Sequence, residues 1–308
     1  MFEDLLRWFW TDTFWLPYGF HWSDVKQCPL FYLYVCPFIA VLMLLVRHIF
    51  ENYLAVFFCT WIGIPMDPNT HKERKVHGKP GRYVDAQKAK ETCWRCFAYF
   101  VLFAYGAVVI LRTDWFWNNE SWLVGYIREQ PFPTDLKVYY VLELSFYMSL
   151  LATHFRDTKR KDFLQQFVHH LLTIILLAGS YVIAHFRYGS VIMFLHDASD
   201  YWLESAKLAK YAKRQRLCDA LFVVFALIFY ATRWVYFPLC VALPWTRDNA
   251  KLSGPLQSYI TFPYIFLYMC ITLMLLHLYW GFLIGRMVYN FTRTGSVEKD
   301  DRSDGEDD

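Results

Sequence analysis

Long apolar runs alternate along the chain with short polar stretches. A helix crossing a membrane needs roughly 20 mostly apolar residues. Runs of that kind lie at about 30–50, 93–112, 137–155, 163–184, 187–206, 217–238 and 260–285. The stretch 53–64 is too short to cross alone, so it is expected to extend the first run or to lie at the interface. The fifth run is the most polar, because Asp197, Asp200 and Glu204 interrupt it. This pattern predicts an all-α, polytopic integral membrane protein with about seven transmembrane helices around a central cavity.

Loop charge sets the expected orientation, because Lys and Arg collect on the cytosolic side. Segments 66–95, 156–161, 207–216 and 286–308 together hold 21 of them, against 7 in segments 1–30, 113–137, 185–187 and 241–259. Seven crossings with a lumenal N-terminus and a cytosolic C-terminus satisfy that asymmetry. Dropping the fifth crossing would move the positive charges of 207–216 to the wrong side. Composition agrees, with 56% hydrophobic and only 19% charged residues, where soluble domains carry about a quarter charged.

The expected organisation is a lumenal segment 1–30, a first membrane segment with its interfacial extension 30–64, and a short basic cytosolic loop 65–92. A six-helix catalytic domain 93–288 and an acidic tail 289–308 follow. Met1 to Trp10 carries only Arg7 as a positive side chain and is not a cleavable signal peptide. Trp8, Phe9, Trp10, Phe14 and Trp15 read as an interfacial belt. The tail "SVEKDDRSDGEDD" has clustered acids and no apolar period, which predicts disorder.

Two spans carry polar stripes. At 100° per residue, Asp162, Gln166, His169, Thr173 and Ser180 fall within an arc of about 60° on the fourth span, with His170 roughly 80° from Asp162. On the fifth, His196, Asp197, Asp200, Glu204 and Lys207 share an arc of about 100°. A charged side chain at membrane depth costs at least ~2.5 kcal/mol and therefore faces a partner or a wet cavity. Two such stripes on consecutive helices most simply share one cavity, although stripes of this kind also serve to join helices. No metal site is expected. The ten histidines contain no i,i+4 pair, and Cys93 and Cys96 form a CxxC without the second pair that a structural zinc needs.

These same residues resemble the ceramide synthase family of TLC-domain N-acyltransferases. The resemblance lies in "KRKDFLQQFVHH" (159–170) followed by "RYGSVIMFLHDASDYWLESAK" (187–207). It extends to "FWLPYGFHWSDV" (14–25), "YVLELSFYMSLL" (140–151), "LLHLYWGFLIGRM" (275–287) and the acidic "DDRSDGE" (300–306). Many animal members carry a homeobox-like insert after the first span. The gap here is too short for one and lacks a recognition-helix pattern, so no nucleic-acid partner is expected.

The resemblance implies transfer of an acyl group from a long-chain acyl-CoA to the amine of a sphingoid base. It further implies no permanently bound cofactor, an endoplasmic reticulum location among membrane lipids, and scope for a homo- or hetero-dimer. The alternative class is a lipid-sensing or trafficking TLC protein without catalysis. For the reaction, His169 is the expected general base or acyl acceptor. Asp200 or Asp197 is expected to orient the imidazole, with His170 and His196 positioning the thioester. Arg156, Lys159, Arg160, Lys161 and Lys207 are expected on the CoA side. Glu143 and Arg233 are further intramembrane charges, and a pair between them is one reading. Asn119 heads the sequon Asn119-Glu120-Ser121 on the expected lumenal side. Ser303, followed by acids, is an expected phosphorylation site.

Overall fold

A computed structural model describes residues 2–9, 11–25, 28–66, 86–252 and 262–296. Most of the basic loop and the acidic tail with Ser303 lie outside these residues. Seven long helices run through the described part: α1 Phe31–Trp61, α2 Ala86–Ile110, α3 Thr134–Thr153, α4 Phe163–Val182, α5 Phe186–Tyr211, α6 Gln215–Asp248 and α7 Phe262–Thr294. Among the described residues there is no strand. In hydrocarbon a helix satisfies every backbone donor within its own segment, which is why the apolar runs take this form.

Five of the seven, α1, α2, α4, α6 and α7, are long and apolar enough to cross a membrane. The other two, α3 and α5, carry intramembrane carboxylates, and three of these are turned inward: Glu143 is 0% exposed, Asp197 1% and Glu204 4%. Polarity that lowers their hydropathy is thus covered by protein. By contrast, α1 presents Phe38, Phe57 and Trp61 outward at 77%, 74% and 74% exposure, as a lipid-facing helix does.

Two helices are wider than a regular α-helix over part of their length. In α1 a π-turn at Phe50–Leu54 joins Phe31–Ile49 to Ala55–Trp61, so the stretch 53–64 extends the first helix. The turn directs Phe50 onto Trp94 and Phe97 of α2. In α6 a π-segment covers Tyr230–Ala242 around Pro238, and it turns Arg233 towards α5. Such π-segments commonly mark functional sites.

Helices α4 and α5 are joined by the short turn at Ile183–His185, so they run side by side in opposite directions. The start of α4 therefore lies beside the end of α5. Close packing where α3, α4 and α5 meet depends on Gly189, where a Cβ would overlap the hydroxyls of Tyr140 and Ser180. Tyr140 in turn shares a hydrogen bond with Ser180 at 3.1 Å and donates to the Phe186 carbonyl at 3.1 Å.

Candidate active site

Both polar stripes contribute to one cavity of about 120 Å³ at the end of the bundle where α4 begins and α5 finishes. The N-cap of α4 gives Asp162 and the helix itself Gln166, His169 and His170, and from α5 come Asp200, Glu204 and Lys207. Helix α2 adds Arg95 and Tyr99, the turn before α4 adds Arg160, α6 adds Arg233, and α7 adds Trp280.

His169 sits in the wall against four rings: Trp280 at 5.4 Å, His170 at 5.9 Å, Tyr147 at 6.1 Å and His196 at 6.3 Å between centroids. Among the described residues neither ring nitrogen of His169 has a hydrogen-bond partner, and its Nδ1 is buried. The same holds for Nδ1 of His170, which packs on Tyr147 and His154. An imidazole whose nitrogens are uncommitted inside a polar cavity is chemically available, as a base or a nucleophile needs to be.

The carboxylates are arranged differently from the sequence expectation. Asp200 does line the cavity, but its Oδ1 accepts from Arg233 at 2.6 Å and from Ser199 at 3.0 Å, with no bond to an imidazole. A full positive charge on the facing helix outcompetes a neutral ring for the carboxylate. Arg233 also donates to the His196 carbonyl at 2.9 Å and lies over Phe229. Its partner is therefore Asp200, and no pair forms with Glu143. Asp197 points the other way, towards α3, where Tyr139 donates to it at 3.5 Å and Glu143 lies beside it. It is absent from the lining of the cavity.

His196 and His277 form a pair that the sequence stripes did not reveal. Nδ1 of His196 lies 2.6 Å from the Ile192 carbonyl and so carries the proton. Its Nε2 is left as acceptor for Nε2–H of His277 at 2.8 Å. His196 also borders a small apolar slot of about 20 Å³ beyond His169, with Tyr147, Thr173, Leu176 and Leu273.

Of the basic residues expected near CoA, Arg160 and Lys207 line the cavity, while Arg156, Lys159 and Lys161 stay exposed outside it. Lys159 instead lies over the Phe163 ring. Arg95, which sequence reasoning passed over as a loop charge, joins them. Glu204 holds this cluster, with Lys207 at 2.6 Å, Arg95 at 3.4 Å and Arg160 at 3.9 Å. Trp280 was likewise missed. Its indole N–H donates to Asp162 at 3.0 Å, and its only sequence signal was a Trp in an aromatic run at the expected last span. Among the described residues no group of three or more His, Cys, Asp or Glu is placed to hold a metal ion.

Residues 88–286 match the family model described as the TLC domain. Over 98% of its length the chain is 35% identical to ceramide synthase 5 of Homo sapiens, covering 87% of that protein. It is 32% identical to ceramide synthase 4 of Bos taurus, with 99% of this chain and 88% of the relative covered. It is 31% identical to ceramide synthase hyl-1 of Caenorhabditis elegans, with 97% and 84% covered. The bovine alignment runs over 351 positions against 308 residues here, so that relative carries insertions that this chain lacks. The fold and the match make the chain a TLC-domain membrane protein with several apolar helices. Within that class it belongs to the ceramide synthase family.

Proposed function

We propose that this protein joins a long-chain acyl group from acyl-CoA to the amine of a sphingoid base, giving ceramide or dihydroceramide and free CoA. The observation that carries this reading is His169, uncommitted at both ring nitrogens, in a polar cavity backed by an apolar slot. The relatives named above are ceramide synthases, and the non-catalytic alternative is not favoured.

The chemistry asks for a new C–N bond, a broken C–S bond, and a proton moved from the amine to the departing thiolate. In one route His169 takes the proton as the amine attacks, then returns it to sulfur. In the other, a His169 nitrogen attacks the thioester first. CoA leaves as the thiol, and the amine then displaces the imidazole. Either way the Asp200–Arg233 pair sets the field around the imidazole instead of holding its N–H. Arg95, Arg160 and Lys207 offer charge to the phosphates of CoA. The apolar slot is too small for an acyl chain as it stands, so Leu176, Met193 and Leu273 must repack to admit one.

This reading sets the protein in the endoplasmic reticulum membrane, crossing it seven times with the cavity mouth on the cytosolic side. A homo- or hetero-dimer is compatible with it. The test is conversion of sphinganine and acyl-CoA to dihydroceramide by membranes that contain the chain. Absence of product from well-expressed protein would overturn the reading.

A further inference from the structure

Asp162 carries an unsatisfied oxygen that the reaction outlined above does not use. It is 1% exposed and lines the cavity. Its Oδ2 accepts from the indole N–H of Trp280 at 3.0 Å and from Gln166 at 3.2 Å, whereas its Oδ1 is buried with no hydrogen-bond partner. A buried carboxylate oxygen is costly without a donor, and no protein group supplies one to Oδ1, so it is free to accept from a bound molecule. The neighbouring cations are engaged elsewhere. Lys207, Arg95 and Arg160 gather on Glu204, and Arg233 pairs with Asp200.

We propose that Oδ1 of Asp162 is the docking point for the ammonium head of the incoming long-chain base, a specificity contact that rests on the acyl-transfer reading above. An alkyl amine enters from water protonated, since its pKa lies near 10 as for lysine. A charge-assisted bond from N⁺–H to a carboxylate is about twice as strong as a neutral one. Trp280 gives the same group an aromatic neighbour, and its ring also packs on His169 at 5.4 Å. Asp162 and His169 are two turns apart on one face of α4, about 10 Å along the axis. The ammonium thus meets Asp162 first, gives up one proton to solvent at the cavity, and advances along the helix to His169 as the free amine. Acyl-CoA gains nothing from the site, because its phosphates would be repelled by a carboxylate oxygen.

The test uses the full-length protein and the variants D162N and D162E. D162N keeps an oxygen for the Trp280 N–H but loses the charge. KM for sphinganine is expected to rise at least ~10-fold, with KM for acyl-CoA within about two-fold of wild type. Inhibition by N,N-dimethylsphinganine, a protonated amine that cannot be converted to the amide, should weaken in parallel. Inhibition by the neutral analogue with hydroxyl in place of the amine should not change, and D162E should recover part of the preference for the cation. Equal weakening for the neutral analogue, or a matching rise in KM for acyl-CoA, would show a structural role and overturn the proposal. Should D162N fail to fold, wild-type protein that binds the neutral and cationic analogues equally well would overturn it just as firmly. Wild-type protein that makes no amide would sink the acyl-transfer reading instead, while dimethylsphinganine binding, followed by thermal shift, still reads the Asp162 site.

Discussion

Arg233 on α6 donates to Asp200 on α5 at 2.6 Å, and the same guanidinium reaches the His196 carbonyl at 2.9 Å. The two side chains are 7% and 18% exposed, so each charge depends on the other. Removing one partner of a fully buried pair costs about 3–5 kcal/mol, more than removing both; with Asp200 only part-buried, the cost here falls below that range. Arg233→Ala is expected to lower the unfolding temperature in detergent sharply. Arg233→Ala with Asp200→Ala should recover part of that loss. A double-mutant cycle with no coupling would show that the pair does not hold the helices.

The basic residues separate into two groups. Arg160 lines the cavity and Arg156 does not. A hydrogen bond to a charged group is worth about 1.5–3 kcal/mol, so Arg160→Ala should raise KM for acyl-CoA by roughly 10- to 100-fold. Arg156→Ala should change it less than about two-fold. Steady-state kinetics with varied acyl-CoA decides this, and equal effects would place CoA outside the cavity.

Much of the helical frame was legible because a bilayer demands long, uninterrupted apolar runs, and all seven long helices overlap the runs read from the chain. The Asp162 and His169 face was legible too, because i, i+4 and i+7 spacing is a local property of one helix. Long-range pairing was not. Nothing local in the sequence says that Arg233 meets Asp200, because the π-segment at Tyr230–Ala242 alters which face α6 presents. Trp280 and His277 stayed hidden for a similar reason. A lone Trp or His in an apolar helix declares no partner until the facing helix is placed. Asp197 was assigned to the cavity because it borders its stripe, and helix packing turned it to Tyr139 instead.

Gly189 is where α5 approaches Tyr140 and Ser180, and a methyl group there meets both hydroxyls. Overpacking of this kind costs about 1–3 kcal/mol. Gly189→Ala should therefore reduce thermal stability, and adding Tyr140→Phe, which removes one of the overlapping oxygens, should restore part of it. An unchanged melting temperature for Gly189→Ala would mean the helices separate freely at that point.

Loop charge predicts that Asn119 faces the lumen and Asn290 the cytosol, although both head sequons. A glycan adds mass only on the lumenal side. The protein should show a glycosidase-sensitive shift that disappears in Asn119→Gln and persists in Asn290→Gln. The reverse pattern would invert the orientation.

His169 and His170 both line the cavity and both pack on Tyr147, but His169 also meets Trp280 and His196, whereas His170 turns to His154. The central claim is that His169 reacts and His170 positions. Turnover of purified His169→Ala, at matched expression and melting temperature, tests it most directly. The expected result is a loss of at least ~10²-fold in kcat, as for removal of a general base or nucleophile, with trapping of an acyl group on wild-type His169 by acyl-CoA alone selecting the covalent route. Wild-type turnover in a folded His169→Ala protein would contradict the account.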